Sequence, residues 1–354
     1  MTAAIRGALV LALATLSSSA LAQPSVYAHT GAGMFSPAVK GVPERVYVPN
    51  GLDNTVSVID PATYQVIHTF QVANEPQHVV PSHDLKTLYV ASDQGQESLT
   101  PIDPKTSKPG KPIPTVDPYN LYFTPDGQYG IVVAENKRAL NFTDPHTMQV
   151  QFSIKVPCRG INHMDFSADG KTLLAACEFS GDLLRIDLAA RTVVGKIHVG
   201  GMPQDVKLSP DGQVYYVADM MANGVRVISA AGKAPKKVGF VATGKGTHGL
   251  YPSRDATRLF ISNRGEGTVS VLSFATREVI RRWVIPGGGS PDMGSVSPDG
   301  TQLWLSGRYS DVVYVFDTRS GKLTHRIKVG KGPHGLTYFP QPGRYSLGHT
   351  DNYR

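Results

Sequence analysis

Four histidines and two aspartates recur in this chain at a nearly fixed offset. His78, His163 and Asp205 each stand six residues before an Asp that opens a tight turn, and His248 and Asp292 each stand seven before one. His334 takes the same place in a last copy whose turn keeps its glycine, Gly343, and has lost the Asp. Imidazole and carboxylate converging on one point are the donors of a metal site or of acid/base chemistry. Without available thiolate, such a set suits copper, zinc or non-haem iron rather than an iron–sulfur cluster. The only cysteines, Cys158 and Cys177, belong to no C-x-x-C-H haem attachment site and to no zinc pattern. A hairpin between them places Cys177 near Asn162, a separation at the edge of what a disulfide spans, so pairing stays open.

Aligned on the turn, the copies read Gln77-His78, Tyr119-Asn120, Asn162-His163, Gln204-Asp205, His248-Gly249, Asp292-Met293 and His334-Gly335. A second set follows each turn: Asp93, Glu135, Glu178, Asp219, Arg264, Arg308 and, at the chain end, His349. His78 and His163 fall one position later than His248 and His334. Strict strand alternation turns neighbouring residues to opposite faces, so the two pairs need not point the same way.

The elements that must position these residues follow from the repeat. The turn Asp residues Asp84, Asp126, Asp169, Asp211, Asp255 and Asp299 are spaced 42, 43, 42, 44 and 44 apart. Asp-Gly between apolar runs signals a hairpin, here expected as a type I′ turn with positive φ at both central residues. The runs are four to six residues long and rich in Val, Ile, Tyr and Thr, as in Val214-Tyr215-Tyr216-Val217 and Val56-Ser57-Val58-Ile59. That favours strand over helix. Four short strands per repeat of about 43 residues make a propeller blade. The expectation is an all-β, seven-bladed β-propeller with four antiparallel strands per blade over residues 45–354, following an N-terminal segment 23–44. N- and C-terminal strands close the ring and remove its edges, with either the Val46 or the Tyr345 segment as the second strand of the shared blade. The strand before each turn is innermost, which brings its first residues to one mouth of the axial channel.

Tyr47-Val48-Pro49-Asn50, Ser57-Val58-Ile59-Asp60, Pro333-His334-Gly335 and Ser209-Pro210-Asp211-Gly212 carry a family resemblance. The chain resembles the YVTN-type seven-bladed propeller repeat family, the YncE-like propellers, over residues 45 to 349. The resemblance is specific for architecture. Related propellers include the haem-binding domains of periplasmic nitrite reductases and lactonases, which implies a non-covalent haem beside copper or iron as conceivable cofactors. It also implies that the Pro-His-Gly histidines hydrogen-bond neighbouring loops as part of the repeat.

Arg6, the apolar run 7–16 and Ala20-Leu21-Ala22 form a secretory signal peptide, residues 1–22, with cleavage expected before Gln23. The expected location is periplasmic or secreted. No later segment is long and apolar enough for a membrane span. The formal charge of +7 is scattered; the one cluster, Lys233, Lys236 and Lys237, lacks the stacking aromatics of a nucleic-acid groove. No G-x-S-x-G elbow, P-loop or dinucleotide fingerprint occurs in the right context. The expected function is binding rather than catalysis: a monomeric binding or accessory propeller recognising a small molecule or a periplasmic protein at its top-face funnel. A metal- or haem-dependent oxidoreductase, or a lactonase-like hydrolase, at the same mouth is the alternative.

Overall fold

The computed structural model describes residues 25–349 and 351–354; the expected signal peptide and cleavage site lie outside the described residues. Seven sheets arise from the repeat. Their innermost strands are Pro76–Pro81, Pro118–Phe123, Ile161–Phe166, Pro203–Leu208, Thr247–Pro252, Pro291–Val296 and Thr337–Phe339, here blades 1 to 7. Every residue of these strands is buried, because each packs against its neighbours around the axis. Outer strands are the opposite: Gln65–Gln71 exposes all but Phe70, as the last strand of a blade has a partner on one side only. In blade 1 the outer strand breaks into Lys108–Pro109 and Ile113–Pro114. Its two prolines cannot donate to a ladder, so pairing there is confined to short pieces.

Blade 7 closes the ring. Thr337–Phe339 pairs antiparallel with Arg45–Asn50, Val46 opposite Tyr338, and the N-terminal strands Thr55–Asp60 and Gln65–Gln71 complete the sheet. Val46 therefore supplies the second strand, and the Tyr345 segment is released from the sheets. That segment turns inward: Leu347 accepts from the Phe123 amide, and Arg354 reaches Asp165 at 2.9 Å. Residues 344–349 and 351–354 thus fill the channel from below. The segment before blade 7 caps the same end, where the Tyr27 hydroxyl donates to the Leu208 carbonyl at 2.6 Å.

The repeat turn differs from expectation. Only its glycine is left-handed, as at Gly127, Gly170, Gly212 and Gly300, while the preceding Asp is not. In Ser209-Pro210-Asp211-Gly212 the Gly212 amide donates to the Ser209 carbonyl, and Asp211 Oδ1 accepts from the Ser209 hydroxyl and the Gln213 amide. Proline, with its fixed negative φ, and an Asp bonded to its own backbone favour a type I turn followed by one left-handed residue. A two-residue type I′ hairpin is thereby replaced.

Candidate functional site

The inner-strand residues form two rings. Gln77, Tyr119, Asn162, Gln204, His248, Asp292 and His334 make the upper one; His78, Asn120, His163, Asp205, Gly249, Met293 and Gly335 lie next along each strand. In blades 1 to 6 the ladder to the second strand is irregular at these positions, between Pro76 and His78 or Ile161 and Met164 for example. A bulge suspends strict alternation, so neighbouring residues both approach the axis. The histidines offset by one position accordingly meet: the His78 ring lies 4.8 Å from His334, 5.3 Å from His163 and 5.1 Å from His349. His248 lies 6.0 Å from His334. Gly335 makes this approach feasible, since a Cβ there would stand 2.0 Å from His78 Nδ1.

In the upper group Asp292 accepts from His248 Nδ1 at 2.9 Å and from Arg264 at 3.2 Å, with His334 Nε2 at 3.7 Å. Burial alone would raise its pKa, but His248 and Arg264 hold the carboxyl far below the usual carboxylate range. Gln77 Oε1, an acceptor, sits 3.1 Å from His334 Nδ1 and places that ring's proton there, leaving Nε2 a lone pair. His248, Asp292 and His334 form a two-histidine, one-carboxylate donor set.

The deeper group is His78, His163 and His349, all fully buried. His349 belongs to no second strand; the tail lifts it into the channel from below. The Asn120 amide donates to Nδ1 of both His163 (3.2 Å) and His349 (3.0 Å), while its oxygen accepts from the Leu121 amide. Neutral rings accepting at Nδ1 carry their proton at Nε2, so these two present N–H groups rather than lone pairs inward. His349 Nε2 lies 3.5 Å from Asp205. Burial, then the neighbouring His334 for His78 and His349 for His163, pushes both imidazoles well below their ordinary range. The group is neutral and poorly arranged for a metal.

Above both groups opens a cavity of about 270 Å³ lined by Gln77, Tyr119, Gln204, His248 and His334 of the upper ring and by residues at the ends of the second strands. Asp93, Glu135 and Glu178, expected at this mouth, line it on blades 1 to 3; Arg264 and Arg308 line it on blades 5 and 6. Asp219 does not. It is fully buried, pairs with Arg226 at 2.6 Å and accepts from the Met202 and Ala222 amides, which makes it the fastener of its own loops. Asp205, His78, His163 and Asn120 lie beneath the cavity instead of on its wall, and Asp292, fully buried behind His248 and Arg264, does not line it either. Burial, followed by Glu178 and Asp93, raises the Glu135 carboxyl to about 9; burial raises Asp93 to about 7, against a hydrogen bond from Gln77. One buried oxygen of Glu135 and one buried nitrogen of Arg308 have no hydrogen-bond partner. Glu75, Gln94, Asn136 and Tyr309 also line the mouth. Gln94, Asn136 and Tyr309 each follow a second-strand end residue, ten positions after the turn Asp, so the register that finds Asp93, Glu135 and Arg308 also marks them.

Cys158 and Cys177 form a disulfide with Cα atoms 6.1 Å apart, Cys177 facing Ile161 across the ladder. The bond fixes the strand end next to Glu178. His83 is half-buried and stacks on Tyr345 of the inward-turned tail at 4.8 Å.

The family model of YNCE-like beta-propellers matches residues 2–342. No curated protein matches the chain in sequence. Among solved structures it is similar to a Kuenenia stuttgartiensis hydrazine synthase chain (20% identity, TM-score 0.68, 86% of this chain and 99% of that one). A Pseudomonas aeruginosa periplasmic gluconolactonase aligns at 17% identity and TM-score 0.69 over 84% and 99% of the two chains. The dihydro-heme d1 dehydrogenase NirN aligns at 16% identity and TM-score 0.64 over 86% and 76%. At these identities the likeness is one of fold.

Proposed function

Since the chain belongs to the YNCE-like beta-propeller family, we propose that it is an exported binding or accessory propeller whose upper channel mouth holds a small polar ligand. One observation carries this reading: at the mouth the buried carboxyl of Glu135 and the half-buried guanidinium of Arg308 each have a buried atom with no hydrogen-bond partner among the described residues. Leaving such atoms unmet costs about 1–3 kcal/mol each, more when charged. A ligand that supplies partners recovers that cost. The cavity, at about 270 Å³, lies just below the roughly 300–1,000 Å³ of sites for drug-sized molecules, which suits a small metabolite.

The haem chemistry suggested by the propeller relatives does not fit this mouth. A tetrapyrrole carries carboxylates on its rim, and Glu75, Asp93, Glu135 and Glu178 would face them in a cavity of this size. A single divalent metal is a second reading, favoured by the lone pair that Gln77 leaves on His334 within the His248–Asp292–His334 set. Arg264 already engages that carboxylate and would oppose the metal's charge. A protein partner on the same face is favoured by Leu52, Phe179, Met221 and Tyr309, large side chains that are 50–74% exposed on loops joining second to third strands.

The test is a thermal-shift screen of small charged metabolites on the mature protein, with metal content measured on material from its native compartment. Saturable stabilisation lost in Arg308→Met supports the ligand reading. Stoichiometric metal lost in His334→Ala, with no small-molecule response, overturns it. Export is tested by intact mass, which should correspond to a chain starting at Gln23, and the monomer by light scattering. Among the described residues no helix is long and apolar enough to cross a membrane.

A further inference from the structure

We propose that the ligand of the mouth is a small zwitterion, bound with its ammonium group at the Glu135 side and its carboxylate at Arg308. The inference rests on the small-ligand reading and names the chemical class. Its basis is the segregation of charge around the ring. Blades 1 to 3 contribute Asp93, Glu135 and Glu178 to the wall, with Glu75 beside them, and blades 5 and 6 contribute Arg264 and Arg308.

The neighbours of these groups decide which of them are available. Arg264 is committed to Asp292 at 3.2 Å and lies over the Tyr309 ring at 5.5 Å. Glu178 accepts from Gln204 at 2.5 Å and Asn162 at 3.3 Å, and Asp93 accepts from Gln77 at 3.3 Å. Glu135 and Arg308 remain. Glu135 is 7% exposed, lines the cavity, and has a buried oxygen with no hydrogen-bond partner; Arg308 has a buried nitrogen in the same condition. Blades 2 and 6 stand three steps apart one way round the ring and four the other, as far as two of seven blades can be. Glu135 and Arg308 thus stand across a cavity with no hydrogen bond between them among the described residues, and the carboxyl, pushed up to about 9, keeps its proton until a cation joins it. A molecule carrying both charges at its two ends satisfies both.

Competing ligands fit less well. A metal cation needs oxygens that converge, and the four carboxylates of the mouth do not gather closely enough to form a candidate cluster among the described residues. A dicarboxylate would leave one end against Glu75, Asp93, Glu135 and Glu178. A diamine would leave one end against Arg264 and Arg308. Tyr119, on the inner strand of blade 2, lines the same cavity and offers a ring for a short apolar linker.

Calorimetric titration with linear ω-amino acids from glycine to 6-aminohexanoate, matched diamines, matched dicarboxylates, calcium, inorganic phosphate and glucono-1,5-lactone tests the proposal. One chain length among the ω-amino acids should bind best, and its diamine and dicarboxylate counterparts roughly tenfold or more weaker. Glu135→Gln and Arg308→Gln should each weaken it by a similar factor, with melting curves showing the variants folded. If a variant fails to fold, the comparison among ligands on the wild-type protein decides alone. Tighter binding of a diamine, dicarboxylate, calcium or phosphate than of every ω-amino acid overturns the zwitterion while leaving a ligand site at the mouth. Preference for the lactone, unaffected by either substitution, does the same. No binding by any member of the set overturns the zwitterion, and the small-ligand reading falls with it if the broader metabolite screen is also blank.

Discussion

The two ends of the axial channel carry similar numbers of charged side chains and use them differently. At the lower end buried ions meet their opposites, Arg354 with Asp165 at 2.9 Å and Arg254 with Asp351 at 3.3 Å, although one Arg354 nitrogen has no hydrogen-bond partner among the described residues. Backbone amides complete these pairs, Leu208 donating to Asp165 and Val296 to Asp351. At the upper end Glu135 and Arg308 face one cavity from opposite blades with buried atoms unmet. The lower end is closed by its own tail, and charge there holds the fold together. The upper end is left open, and charge there is held ready for something else. Under the proposed function the difference lies in position: Glu135 and Arg308 follow the upper ends of second strands, whereas the lower pairs join an inner strand or turn to the chain's own tail.

Substitution of the guanidinium at each end should break the symmetry most visibly. Arg354→Met strands Asp165, which is fully buried, and should cost about 3–5 kcal/mol in urea melts. Arg308→Met removes a half-buried group that forms no ion pair among the described residues and should leave stability unchanged or raise it by up to about 1 kcal/mol while abolishing ligand response. Equal destabilisation by the two would erase the distinction between the ends.

The disulfide offers the next largest effect. It joins residues 19 apart, a loop for which cross-linking contributes about 3 kcal/mol. Cys158→Ser should lower stability by up to that amount. Because Cys177 precedes Glu178, the loss should also loosen the acidic side of the mouth, seen as faster hydrogen exchange at residues 177–181.

Titration sharpens the contrast further. Glu135, raised to about 9 in the fold, is neutral in both states below its ordinary range near 4.5. As pH rises from there towards 9 the unfolded chain gives up its proton first, so stability falls across that window. Glu135→Gln should match the wild type near pH 4 and exceed it at pH 8 by about 1 kcal/mol or more. The imidazoles of His78, His163, His334 and His349 are depressed. They contribute the other sign: stability present above pH 6.5 is lost as pH falls below it. Chemical melts at pH 4, 6 and 8 separate the two groups.

The smallest effect lies in the turns at the closed end. Ala256 occupies the left-handed position that glycine fills in the sister copies, with φ 51°. Ala256→Gly should stabilise by up to about 1 kcal/mol, measured as a rise in melting temperature with no change at the mouth.

Much of this was legible in the sequence because it repeats. The Asp-Gly spacing gives the blades, and the register places His78, His163, His248, Asp292 and His334 near the axis. Charge at the second-strand ends was equally visible in Asp93, Glu135, Glu178, Arg264 and Arg308. What the repeat leaves out are its own interruptions. Strict alternation made the relation between His78 and His334 ambiguous, and a bulge, which no composition rule announces, resolves it. His349 reads as a strand residue because Arg344-Tyr345-Ser346-Leu347 has the alternating pattern of one; the better-placed Val46 strand takes the pairing and sends the tail into the channel. Asp219 matches Glu178 in register and differs in having Arg226 within reach of its carboxylate.

The central claim, an open end built to bind across opposed charges, is tested most directly by a crystal structure with the best-binding ω-amino acid. The account predicts the molecule in the upper mouth, its ammonium within hydrogen-bond distance of Glu135 and its carboxylate on Arg308. A ligand seated instead in the cleft beside Tyr129, Phe152 and Arg191 at the turn end of blades 2 and 3, with the mouth holding only water, would contradict it.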